Sequence, residues 1–285
     1  GSMGCGSSHD DSAGSLSADE INTILTVQRV VNSLSIIGSS FIIACWICFP
    51  SLRKIAFTLV LYLSISDVLG GIATLMSPGS DECGPACLLQ AYLVSIFGLS
   101  SVLWTACIGH CLFRAIRHQT IDVDRFHYRY HLFSWGVPCL LALLPQFSNS
   151  YGNDNGQCWI LKEQAALRFV QFYLPLWAVI AYNASVYLQI VSNLKAMLRA
   201  APETSREDLK IFWRLGLYPA VLVLCWLFGS VNRLHNSFNP HHPSFTFFLL
   251  HRLFAGSQGL LNCIVYGLNG VVRARVRQAL CGGGG

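Results

Sequence analysis

Charge is what this sequence has least of. Only 19 of its 285 residues are Lys or Arg and 14 are Asp or Glu, a share of 12%, about half the ~25% of an ordinary soluble domain. Mean hydropathy is +0.48, so the chain cannot clothe a water-facing globule and is built for lipid. A membrane crossing takes about 20 apolar residues. The length therefore allows roughly seven crossings joined by short loops, and no separate soluble catalytic domain. HExxH, P-loop and GxSxG motifs are absent, which removes the corresponding metalloprotease, nucleotide and serine-hydrolase chemistries. Lysine is scarce as well: Lys54, Lys162, Lys195 and Lys210 all miss the last apolar run, so no retinal Schiff base fits there. His110 and His131 fall toward one face and His235 and His251 toward the other, so no zinc site gathers them. No internal repeat and no basic-led signal peptide is visible. Neither an enzyme activity, a cofactor nor a nucleic-acid partner is expected.

What is present is a succession of apolar runs at about 23–49, 55–77, 87–113, 130–148, 165–194, 211–235 and 245–269. Of the 19 basic residues, 14 lie in or beside one set of loops, from Arg53 and Lys54 through Arg114, Arg117, Lys210 and Arg214 to Arg277. The positive-inside bias makes that set cytoplasmic, with the N-terminus outside. Residues 1–20 read as a disordered extracellular tail, 21–270 as the seven-span body and 271–285 as a cytoplasmic amphipathic helix and tail. Gly1-Ser2 before Met3 reads as a cloning remnant, and the four closing glycines as a linker or truncation. MGCGSS matches an acylation pattern, but on the wrong side for it, and Cys281 is a palmitoylation candidate. The sequon Asn183-Ala184-Ser185 lies within span five, out of reach of glycosylation.

Four sets of residues carry chemistry. Cys83, Cys87 and Cys158 lie outside, where oxidation is expected; Cys158 pairs with Cys87, which opens span three, with Cys83 as the competing partner. Asp67 stands 13 residues beyond Lys54, about 20 Å deep at 1.5 Å per residue. It must face the bundle interior, either as a cation-binding or switching group or as a protonated acid satisfied by polar neighbours. Arg168, Arg233, His251 and Arg252 form the expected anion-binding pocket in the outer half, among spans three, five, six and seven. The bland alternative is interfacial snorkelling and pairing with Asp81, Glu82, Asp154 or Glu163. Finally, Pro219 stands three residues after Gly216, removes a backbone donor and clashes with the carbonyl of Leu215, so span six should bend there. A swing at this hinge would open an inner cleft between Arg114 and Arg117 on one side and Lys210 and Arg214 on the other.

Several stretches add up: LRKIAFTLVLYLSISDVL, SSVLWT, the Cys158-Trp159 pair, FYLPLWAVIAYN, LYPAVLVLCWLFGSVNRLHNSFNP and LLNCIVYGLNGVVRARV. Together they resemble the plant and algal G-protein-coupled-receptor-like family related to the slime-mould cyclic-AMP receptors, over about residues 21 to 278. The resemblance implies a seven-helix receptor fold, a bridge from helix three to the second outer loop, and coupling to a heterotrimeric G protein through Gα. It also favours Cys87, because the family cysteine lies 17 residues before the span-three tryptophan, here Trp104. Span three ends in GHCLFRAIRH rather than with a DRY triplet, and span seven has YGLN in place of NPxxY. The expected protein is thus an all-α, seven-helix plasma-membrane receptor. The competing reading is a transporter or channel with its polar site near Asp67.

Overall fold

The computed structural model describes residues 16–76, 84–118, 124–154, 156–200, 217–239, 242–267 and 269–281. MGCGSS, Cys83, Lys210, Arg214 and Gly216 lie outside them. Helix α1, Ala18–Cys48, starts at a capping box: the Ser17 hydroxyl accepts from the Glu20 N–H, while the Glu20 carboxylate accepts from the Ser17 N–H at 2.8 Å. Helix α2 spans Ile55–Leu75 and α3 Pro85–His118.

The fourth crossing is assembled from three short helices: α4, Asp124–His131, α5, Val137–Ala142, and α6, Leu144–Phe147. A π turn, Leu132–Gly136, joins the first two. In the fifth, α7, Ala165–Arg168, leads through a second π turn, Phe169–Tyr173, into α8, Leu174–Ala200. Pro138 and Pro175 each follow a π turn closely. A proline lacks the N–H of the i→i−4 ladder, and the widened turn accommodates the carbonyl it leaves behind. Helix α9, Leu217–Phe238, forms the sixth crossing. The seventh is split at Ser257 into α10, Phe245–Gly256, and α11, Gln258–Gly267. A further helix, α12, Gly270–Cys281, follows and buries Val272 in the core, with Val271 half exposed.

Among the described residues, five helices are long and apolar enough to cross a membrane unaided. The fourth and seventh crossings fall short because their helices are interrupted. Side chains follow the rule for lipid as solvent. Leu34, Ile37 and Phe41 of α1 are exposed, while Gln28, Asn32, Ser35 and Ser39 on the same helix are buried. The half of the bundle away from the loop between the fourth and fifth crossings is closed by Leu59, Leu63, Trp104, Cys107, Val221, Val265 and Tyr266. Nearer that loop, Leu99, Leu103, Phe172, Leu176 and Leu222 form a second apolar cluster. Asn183 of the sequon is buried in α8.

The loop between the fourth and fifth crossings folds into a hairpin. Strand β1, Tyr151–Asp154, pairs antiparallel with β2, Gln157–Ile160, with Tyr151 opposite Ile160 and Asn153 opposite Cys158. Gly156 turns the chain at φ 81°, a left-handed conformation that glycine adopts without steric cost.

Candidate ligand-binding site

The hairpin is fastened over one end of the bundle by a disulfide and by hydrogen bonds. A disulfide joins Cys158 to Cys87 of α3, with their Cα atoms 5.2 Å apart. The Cys158 N–H donates to the Gln90 side-chain oxygen at 2.8 Å, and Gln90 donates in turn to the carbonyls of Ala73 and Met76 at the end of α2. The Trp159 indole donates to Ser95 of α3 at 3.1 Å. Tyr151 lies 2.8 Å from the Ala142 carbonyl oxygen, and burial raises the pKa of its hydroxyl.

Beneath the hairpin lies a cavity of about 150 Å³. Its outer end carries Arg233, His251 and Arg252, together with Gln157 from the hairpin and Gln28 from α1. Arg233 donates to the Tyr173 hydroxyl at 3.0 Å and its guanidinium lies 6.0 Å from the Trp159 ring. Arg252 donates to the Gln157 side-chain oxygen, which also accepts from Gln28 at 3.1 Å. His251 is buried against Asn232 and Trp226, and Gly229 opposite makes room for its ring: a Cβ there would meet the ring Cδ2 at 2.9 Å.

Arg168 is placed differently. It does not line the cavity; its guanidinium is buried, donates to the Ile160 carbonyl and sits 5.3 Å from the Trp159 ring. It braces the hairpin and the cavity wall. Of the other outer basic groups, Arg29 is exposed and His235 packs on Phe247, and neither lines the cavity.

At the floor, Asp67 joins helices from across the bundle. Its Oδ1 accepts from Ser101 of α3 at 2.6 Å and from Gln258 of α11 at 3.5 Å, and its Oδ2 accepts from Asn262 at 2.9 Å. Gln258 also donates to Ser101 at 2.6 Å and accepts from the Trp226 indole of α9 at 2.9 Å. Four helices are thus tied through one carboxylate and one amide. The cavity reaches down to this network and extends sideways between α1, α2 and the seventh crossing, beyond the expected walls from spans three, five, six and seven. Gly70, Gly71, Gly256 and Gly259 line that lobe. Sequence reading missed Gln28, Gln157, Trp226, Gln258 and Asn262, neutral residues that no charge rule selects.

At the end of the bundle opposite the hairpin, Arg114 is half-buried and Arg117 stands in the last turns of α3. Pro219 is the third residue of described α9, so the expected bend falls where the description begins. Among the described residues no group of three or more His, Cys, Asp or Glu could hold a metal ion.

Comparison with known proteins places this arrangement. Squid rhodopsin superposes with a TM-score of 0.75 over 96% of this chain and 89% of its own, at 16% identity, which establishes the seven-helix fold and a multi-pass membrane protein. G-protein coupled receptor 1 of Arabidopsis thaliana is 34% identical over 94% of this chain and 84% of its own length. Cyclic AMP receptor-like protein A of Dictyostelium discoideum is 28% identical over 89% of this chain and 66% of its own. The family model described as slime mold cyclic AMP receptor matches residues 13–279. These relatives are receptors rather than enzymes, and this chain belongs to the slime mold cyclic AMP receptor family of G-protein-coupled receptors.

Proposed function

We propose that the protein is a plasma-membrane receptor, N-terminus outside, that binds an anionic small molecule in its outer cavity and engages Gα at its inner end. The observation that carries this reading is the continuity of the cavity. Arg233, His251 and Arg252 stand at its outer end under a disulfide-tethered hairpin, and its floor is the Asp67 network shared by α2, α3, α9 and α11. A ligand that reseats Arg252, Gln157 or Trp226 therefore acts on contacts that fix four helices at once. Arg168 contributes by holding Trp159 and the hairpin in place.

Among the described residues, the bundle below Asp67 is packed largely with apolar side chains. Leu59, Leu63, Trp104 and Val221 close the inner half, which favours a receptor over a transporter or channel centred on Asp67. In this reading residues 1–20 are an extracellular tail, 21–270 the receptor body and 271–285 a cytoplasmic helix and tail. Bending at Gly216 and Pro219 opens the cleft among Arg114, Arg117, Lys210 and Arg214 to a partner helix of Gα. Nucleotide exchange on purified Gα, with and without the reconstituted protein and across a panel of anionic metabolites, tests the assignment. An active anion should accelerate exchange, and Arg233→Ala should weaken its binding by at least about tenfold, about 1.4 kcal/mol. No acceleration by any anion, or unchanged affinity in alanine variants of Arg233, His251 and Arg252, would refute it.

A further inference from the structure

The cavity is electrically polarised along the bundle axis. Seven positions separate His251 from Gln258 on the seventh crossing, and seven separate Asp67 from Thr74 on α2; all four residues line the cavity. At 1.5 Å per residue, each pair of ends lies about 10 Å apart along the axis. Cationic groups stand at the outer end and a carboxylate at the inner one.

The floor is short of both positive charge and donors. The partners of Asp67 are a hydroxyl and two amides, all neutral. A carboxylate offers about four lone-pair sites, so room for a further donor remains on Asp67. An ionised carboxylate in a lipid-embedded bundle is costly unless a cation meets it. An ammonium would bring one positive charge and three donors to this point.

We infer that the cavity takes a small zwitterion, an ω-amino acid whose carboxylate meets Arg233 and Arg252 and whose ammonium meets Asp67. This deepens the outer-cavity reading above and rests on it: the ligand's carboxylate is the anionic group that the outer arginines take, and the ammonium adds the contact with Asp67. The dimensions agree. With charge-assisted contacts of about 2.8 Å at each end, the two levels leave roughly 5 Å between the ligand's charged atoms, the reach of a short methylene chain. The methylenes would lie against Phe172 and Trp226, which line the cavity.

The test uses the full chain in lipid nanodiscs and reads half-saturation from the ligand-dependent rise in unfolding temperature. Probes are ω-amino acids of two to six carbons, with butyrate and butylamine as single-charge controls at matched ionic strength. An optimum at intermediate chain length is expected, with both controls at least about tenfold weaker than 4-aminobutyrate. Asp67→Asn should erase the advantage over butyrate, and Arg252→Gln the advantage over butylamine. Gly70→Val offers a variant that touches neither charge: its Cβ would meet Phe97 at an ordinary 3.5 Å, and its methyl groups should weaken every probe without changing their order. Butylamine binding as tightly as the zwitterion would leave only a cation site at the floor, and butyrate binding as tightly would leave only an anion site at the mouth. Either result overturns the inference, as does a wild-type chain that unfolds cooperatively but responds to no probe. Because no Gα is present, failure here is distinct from failure of nucleotide exchange.

Discussion

Substituting Gly259 by alanine tests the seam that sets the height of Gln258 and Asn262 against Asp67. An added Cβ would lie 2.3 Å from the Ser39 hydroxyl oxygen, 2.6 Å from that of Ser35 and 3.0 Å from the Ser35 carbonyl. The hydroxyls can turn, but the carbonyl belongs to α1 and cannot, so α11 must move away. Ser35 also accepts from the Leu260 N–H at 3.2 Å, satisfying a donor in the first turn of α11. Overpacking of this kind costs about 1–3 kcal/mol, and loss of the hydrogen bond adds about 1 kcal/mol. The better helix propensity of alanine returns at most about 1 kcal/mol. The net loss of about 1–3 kcal/mol corresponds to a fall of several degrees in unfolding temperature, taking roughly 2–4 °C per kcal/mol. Differential scanning fluorimetry in nanodiscs, at one scan rate, reads it. Ser39→Ala supplies the control: its hydroxyl is buried without a partner, so this variant alone should be neutral or stabilising, and combined with Gly259→Ala it should recover part of the loss. A Gly259→Ala protein as stable as the wild type would refute the close approach of α1 and α11.

Removing Cys87 or Cys158 should destabilise the chain by about 2–5 kcal/mol, and non-reducing peptide mapping should recover the two cysteines in one linked peptide; free thiols at both would contradict the bridge. Arg168→Ala should loosen the hairpin, read as faster hydrogen exchange at Trp159 and Ile160, whereas Arg233→Ala should leave that exchange unchanged and act on ligand affinity alone. Trp226→Phe keeps a ring beside Phe172 but deletes the donor to Gln258, so it should reduce ligand-stimulated nucleotide exchange more than ligand affinity. Equal effects on both would place Trp226 in the binding contact only.

Much of this was legible in the sequence, for reasons that differ residue by residue. Hydrophobicity over about 20 residues is a strong signal, so the apolar runs fall on the helices, and ionisable groups within them draw attention to Asp67, Arg233, His251 and Arg252. The same rule could not separate Arg168 from Arg233, because residue type and depth do not say whether a guanidinium turns into a cavity or back onto the Ile160 carbonyl. The hairpin escaped because its two strands have four residues each and owe their pairing to the disulfide, Gln90 and the glycine turn. The π turns need the packing around Pro138 and Pro175, which no local pattern contains. The lobe between α1 and α2 escaped because Asn32, Ser35, Gly70, Gly71, Gly256 and Gly259, which line it, are small or neutral, and only the assembled bundle shows that they border a cavity.

The central claim is that the inner end of the sixth crossing swings at Pro219 to admit Gα, and the distance between spin labels placed near Arg206 and Arg117 measures this directly. The account predicts that Gα lengthens the separation in the wild type and that Pro219→Ala, which restores a backbone donor at the hinge, suppresses the change. A distance distribution that neither Gα nor the substitution alters would contradict it and leave the sixth crossing as packing alone.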